Sequence, residues 1–216
     1  MKSLGSPLIC LITKGELTTS NFKTKAPALV SLIEEAVAAG VNLVQIREKN
    51  LPARLLGDLV SGTVRTISHS MARVVVNDRV DVALACGEGG VHLGQNSMSP
   101  SLLREKFGAR LLIGVSTHSL AEARSALEAD ANYIVFGPVF ETPSKGPAVG
   151  IKTLAAVCEA VRPFPVLALG GVDDTNVEIV RQAGAAGIAA IRSMHDPESR
   201  RKICDFWRSA GTLWLS

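Results

Sequence analysis

Residues 132–145 read NYIVFGPVFETPSK. An apolar run, Tyr133 to Phe136, is rich in β-forming side chains and stops at Gly137 and Pro138, so a strand must end where the polar groups begin. The loop beyond carries Thr142, Ser144 and Lys145. Hydroxyls, an ammonium group and glycine-freed backbone N–H groups suit a cluster of anionic oxygens at the strand's C-terminal end. TPSK in isolation reads first as a solvated turn. The rest of the chain decides between these readings, because it repeats the same layout.

Outward from that stretch, strand and helix patterns alternate. LICLIT (residues 8–13) precedes APALVSLIEEAVAAG (26–40), whose apolar residues recur at helical spacing. VNLVQIREK (41–49) is followed by LPARLLGDLVSGTVRTISHS (51–70), with Pro52 near the helix start. ARVVVND (72–78) leads to RVDVALACG, closed by Gly87, and GVHLG (90–94) leads to SPSLLREKFG. LLIGVST (111–117) precedes HSLAEARSALEAD, in which Ser119 is an N-cap and Glu122 follows three residues on, as in a capping box. NYIVFGP with IKTLAAVCEAVR, FPVLALGG with DDTNVEIVRQAG, and GIAAIRS with DPESRRKICDFWRS complete the series. Eight such pairs in 216 residues are the count and length of one (β/α)₈ TIM-barrel domain spanning residues 1–216. No G-x-G-x-x-G follows the first strand, which argues against an open dinucleotide-binding sheet.

Composition narrows the partners. Lys and Arg total 23 against 20 Asp and Glu, a formal charge of +3, and aromatic residues make up only 4%. That excess is small and dispersed, with neither the basic stripe nor the stacking platforms of a nucleic-acid binder. No apolar run reaches membrane-spanning length and the N-terminal hydrophobic segment is too short for a signal peptide, so a cytoplasmic location without membrane association is expected. Cys10, Cys86, Cys158 and Cys204 lack C-x-x-C spacing and a histidine partner, and read as core thiols.

In a barrel of this kind the reactive groups gather at the C-terminal ends of the strands. Gln45, Arg47 and Lys49 alternate with Val44 and Ile46, so strand periodicity puts the three polar side chains on one face, where two cations suit a diphosphate. The third strand ends in Asn77 and Asp78, the fourth in Gln95 and Asn96, and the fifth in Ser116, Thr117 and His118. Gly170 and Gly171 follow the seventh strand. Ile191 and Arg192 close the eighth, opening a short loop before the final helix, the usual place for a barrel phosphate site. Backbone N–H groups of Gly171, Ile191 and Arg192 suit one phosphate monoester, with Arg192 or Ser193 adding a side-chain contact. Two anion sites result, one with Arg47, Lys49 and Lys145 and one at strands seven and eight, and together they suggest a condensation of two phosphorylated molecules. His69 and His195 fall outside this predicted site, and His92 within its apolar strand reads as a satisfied core imidazole.

QIREK, VVVNDRVDVAL, GVHLGQ, GVSTHS, YIVFGPVFETPSK and ALGGV, in this order, resemble the family of thiamine-phosphate synthase and its relative, the thiazole tautomerase. The resemblance covers nearly the whole chain. It implies a transferase that joins 4-amino-5-hydroxymethyl-2-methylpyrimidine diphosphate to a thiazole phosphate, releasing diphosphate, with Mg²⁺ assisting. It further implies that Gln45, Arg47, Lys49 and Asn77 contact the pyrimidine diphosphate, that Asp78 is a Mg²⁺ ligand, and that Ser116 and Lys145 are further diphosphate contacts. Thr142 and Ser144 fall where the family's loop hydroxyls meet the thiazole phosphate, assisted by Gly171, Ile191 and Arg192. A homodimer, paired through helices, is compatible with a barrel of this size.

Three departures from the synthase pattern shape the alternatives. Ser97 stands where a second acidic Mg²⁺ ligand is usual, which should weaken the metal site. The loop after Lys145 is short, and Arg192 replaces a usual serine. These features add weight to a metal-independent tautomerase, in which His118 or His92 would serve as acid or base because Pro138 occupies the place of that enzyme's histidine. A non-catalytic paralogue that binds thiamine intermediates is the third reading. The otherwise intact diphosphate set favours the synthase.

Overall fold

The computed structural model describes residues 7–87, 89–142 and 146–209. Strands β1 (Leu8–Ile12), β2 (Leu43–Ile46), β3 (Arg73–Asn77), β4 (Gly90–Leu93), β5 (Leu112–Thr117), β6 (Tyr133–Phe136), β7 (Val166–Leu169) and β8 (Gly187–Ala190) close in sequence order into a parallel barrel, β8 pairing with β1. Between them run helices α1 (Phe22–Ala39), α2 (Ala53–Thr66), α3 (Val80–Ala85), α4 (Pro100–Phe107), α5 (Leu120–Glu128), α6 (Ile151–Ala160) and α7 (Val177–Gln182), followed by α8 (Arg192–His195) and α9 (Pro197–Ser209).

Side-chain alternation along each strand divides the apolar residues into two bodies. Cys10, Ile12, Leu43, Val75, Leu112, Tyr133, Val135, Leu167 and Ala189 fill the barrel interior. Their strand neighbours Ile9, Leu11, Val44, Ile46, Val74, Val76, Ile113 and Ile134 join the layer beneath the helices. Because both faces are covered, the strands read as unbroken apolar runs. Tyr133 lies fully buried inside, and its ring occupies space that a side chain at position 114 would take: a Cβ on Gly114 would sit 2.1 Å from the phenol Cζ. Asn42 and Asn132, just before β2 and β6, each turn a side-chain carbonyl to the neighbouring strand, accepting from Ile9 N at 2.9 Å and Ile113 N at 2.7 Å.

Two elements differ from the sequence pattern. α1 begins at Phe22, before the apolar period starts at Ala26, because its first turn (Lys23, Thr24, Lys25) faces solvent and carries no hydrophobic signal. Pro27 is carried inside the helix. The stretch after Ile191, read as a loop, is the short helix α8 with Ile191 as its N-cap. Ser119 does cap α5, its hydroxyl accepting from Glu122 N at 3.2 Å, while the Glu122 carboxylate reaches back to His118 N at 2.7 Å. Among the described residues no helix is long and apolar enough to cross a membrane.

Candidate active site

Inward parity carries Gln45 on β2, Asn77 on β3, His92 on β4 and Ser116 on β5 above the apolar interior, in adjacent strands held by the registers Gln45↔Val75, Asn77↔His92 and His92↔Gly114. The Gln45 side chain is 3% exposed, and its amide N–H donates to Asn77 Oδ1 at 3.1 Å. Its Oε1 is buried and has no partner among the described residues. A buried carbonyl without a donor costs about 1–3 kcal/mol, so this atom asks for a ligand N–H or water.

Arg47 follows on the same face. Its backbone N–H donates to the buried Thr13 hydroxyl at 2.8 Å, and its guanidinium lies beside Gly15, whose added Cβ would stand 3.7 Å from Nη1. Next to it is a residue that the sequence reading passed over. Glu48 is 3% exposed, and its two carboxylate oxygens accept from Gly15 N at 3.0 Å and Leu17 N at 2.8 Å. Glu48 therefore fastens the β1–α1 loop against the end of β2 and fixes the wall on which Arg47 rests. The available signal was its parity: Glu48 shares the phase of Val44 and Ile46, where a carboxylate is buried only if fully bonded.

Lys49, exposed, joins Glu48, Asn77, Asp78 and Arg79 around a cavity of about 220 Å³. Asp78 has φ 63°, and its backbone N–H donates to His92 O at 3.0 Å, which turns the carboxylate out of the strand. Asp78 Oδ1 accepts a short hydrogen bond from the Ser97 hydroxyl, which itself accepts from Gly94 N at 2.6 Å. Gln95 and Asn96 are exposed beside it. Among the described residues there is no group of three or more His, Cys, Asp or Glu able to cage a metal.

His92 is buried, with Nδ1 3.2 Å from the Tyr133 hydroxyl and Nε2 2.9 Å from Ser116 Oγ. Burial lowers its pKa to about 4, so the ring is neutral at pH 7. The same desolvation raises the Tyr133 phenol well above its ordinary value and lifts the Cys10 thiol to about 12. His118 lies at the end of β5, where Nδ1 bonds the Gly137 carbonyl.

On the far side two glycines turn the chain after β7. Gly170 and Gly171 have φ of 97° and 65°, and a Cβ on Gly171 would meet Phe140 Cβ at 2.7 Å, so only glycine fits this turn. Asn176 Nδ2 donates to Gly171 O at 2.8 Å. Ser193, expected as an alternative phosphate contact, instead donates its hydroxyl to Val172 O at 2.8 Å and is buried; the exposed Arg192 is left for that role. His195, read as outside the site, bonds Ile12 O at 3.1 Å at the end of β1, because α8 folds the chain back over the barrel mouth. Thr142 Oγ1 is buried and has no partner among the described residues. Ser144 and Lys145 lie outside the described residues.

A parallel barrel with amides, cations and hydroxyls at the C-terminal ends of its strands defines an enzyme of the (β/α)₈ class. Within that class the chain belongs to the thiamine monophosphate synthase family, whose model matches residues 9–194. It is similar to thiamine-phosphate synthases of Gloeobacter violaceus, 43% identical over 78% of this chain and 50% of the relative, and of a Roseiflexus species, 36% identical over 80% and 75%. A solved structure, thiamine phosphate pyrophosphorylase from Pyrococcus furiosus, superposes with a TM-score of 0.81 at 29% identity, covering 97% of this chain and 98% of that one.

Proposed function

We propose that the barrel mouth binds 4-amino-5-hydroxymethyl-2-methylpyrimidine diphosphate on the β2–β5 side and a thiazole phosphate on the β6–β8 side, and joins them into thiamine phosphate. As a member of its family the chain is a transferase of thiamine biosynthesis, and the tautomerase reading is not favoured. The observation that carries the assignment of substrates to sides is Gln45: a buried carbonyl without a partner among the described residues, belonging to an amide paired with Asn77 and two positions before Arg47, is complementary to an aminopyrimidine with a diphosphate attached.

In the reaction the C–O bond between the pyrimidine methylene and the diphosphate breaks, and its electron pair leaves with the diphosphate. The thiazole nitrogen then donates its lone pair to the methylene carbon. Arg47, Lys49, Lys145 and the Ser116 hydroxyl stabilise charge that grows on the leaving oxygen, and donors fixed in advance are worth most where charge develops. Thr142, Ser144, Gly171, Ile191 and Arg192 hold the thiazole phosphate so that its nitrogen faces that carbon, converting an encounter of two solutes into a positioned collapse.

Asp78 offers one carboxylate, already sharing an oxygen with Ser97; the Glu48 carboxylate across the cavity is taken up by Gly15 N and Leu17 N. That donor set fits a magnesium ion brought in on the diphosphate and keeping most of its waters, with Asp78 as its protein ligand. Bound there, it would neutralise part of the leaving-group charge. The test is turnover with both substrates across a magnesium titration: stoichiometric release of diphosphate with formation of thiamine phosphate is expected. Absence of diphosphate release at every magnesium concentration, with isomerisation of a thiazole carboxylate phosphate in EDTA, would replace this reading with the tautomerase.

A further inference from the structure

We propose that Tyr133 and His92 are positioning residues that orient the Ser116 hydroxyl as a hydrogen-bond donor toward the diphosphate. The inference rests on the synthase reading of the site. Its starting point is the fully buried Tyr133 phenol, inside the barrel among Leu112, Val135 and Leu167. A buried O–H needs an acceptor. Among the described residues its partner is His92 Nδ1, at 3.2 Å.

That single requirement fixes the rest of the chain of bonds. If Nδ1 accepts the phenol proton, a neutral imidazole carries its own proton on Nε2. The ring is 2% exposed, and burial of this kind favours the uncharged form. Nε2–H then donates to Ser116 Oγ at 2.9 Å, and the serine proton has to point elsewhere. No acceptor for it is present among the described residues, and the half-buried serine sits at the barrel mouth. The opposite arrangement, Ser116 donating to Nε2 and Nδ1–H to the phenol, would strand the phenol proton in an apolar interior.

Gly114 supports the same arrangement. It lies beside His92 in the sheet, and any side chain there would strike the phenol, with a Cβ 2.3 Å from the hydroxyl oxygen. The strand has left open the volume through which Tyr133 reaches His92. The consequence is a serine that offers an anion its proton, with no competing orientation to overcome.

The experiment uses the full-length protein with inorganic diphosphate as probe. Nitrogen NMR of the unaltered protein at pH 7 should show His92 as the Nε2–H tautomer, and Ser116→Ala should weaken diphosphate binding about tenfold, the loss of one bond to a charged group. Tyr133→Phe should mix the tautomers and weaken binding about threefold or more, yet cost nothing further in the Ser116→Ala background, because both changes remove the same donor. An Nδ1–H tautomer in the unaltered protein, or an equal loss from Tyr133→Phe in both backgrounds, would overturn the inference while the synthase reading stood. Failure of the unaltered protein to bind diphosphate would overturn that reading and this inference with it.

Discussion

The two halves of the barrel mouth are built by different means. From β2 to β5 the polar atoms belong to side chains, Gln45, Arg47, Asn77 and Ser116, aligned by inward parity at or just past the strand ends; Asn77 braces the Gln45 amide, His92 bonds the Ser116 hydroxyl, and Thr13 holds the backbone N–H of Arg47. From β7 to α8 the chain makes tight turns at Gly170 and Gly171, both at positive φ, and at Ile191, the N-cap of α8, with the exposed Arg192 as the one side chain of the predicted set beyond it. Side chains can be aimed at growing charge, which suits a leaving group. A backbone cradle is fixed by the fold and suits a phosphate that binds but does not react.

The largest expected effect breaks the side-chain half. Arg47→Ala should lower turnover by about 10²–10³-fold, the scale seen when one charge-stabilising donor is removed, with little loss of stability because the guanidinium faces the mouth. A fall below tenfold would show that Arg47 does not meet the leaving group.

The interior beneath that half sets a pH dependence. His92 has a folded pKa of about 4 against 6.5 unfolded, so above pH 6.5 neither state takes a proton there. As pH falls from 6.5 to 4 the unfolded chain binds a proton that the folded one refuses, and stability drops by up to about 3 kcal/mol. His195 is lowered too, chiefly by burial, and slopes the same way. Comparison of the unaltered protein with His92→Asn by denaturant unfolding at pH 7 and pH 4.5 isolates the His92 part, and equal slopes would show that the ring is free to charge in the folded state.

On the other half, Gly171→Ala should cost about 1–3 kcal/mol, since a Cβ there meets Phe140 at a positive φ. Thiazole phosphate affinity should fall while diphosphate affinity holds. The smallest effect concerns the metal: Ser97→Asp restores a second carboxylate beside Asp78 and should lower the magnesium needed for half-maximal rate about tenfold, within the range by which carboxylate count tunes divalent sites. An unchanged magnesium requirement would place the metal away from Asp78.

The side-chain half was legible in the sequence because strand parity and the ends of apolar runs are written in residue identity, as QIREK shows. The backbone half was legible only through its glycines. The role of Ser193 was hidden, since no local pattern tells a serine aimed at solvent from one bonded to Val172 O. Glu48 escaped because a carboxylate in a loop-like run reads as solvated; its burial depends on two N–H groups more than thirty positions earlier in the chain. The first turn of α1 carries no apolar period, and α8 is too short to show one.

The division of the mouth into two anion sites is tested most directly by calorimetric titration of Arg47→Ala and Gly171→Ala with each ligand separately. Arg47→Ala should lose inorganic diphosphate and keep the thiazole phosphate, and Gly171→Ala should do the reverse. Equal losses of both ligands in both variants would mean that the rim holds one shared anion site and that the assignment of substrates to its two sides is wrong.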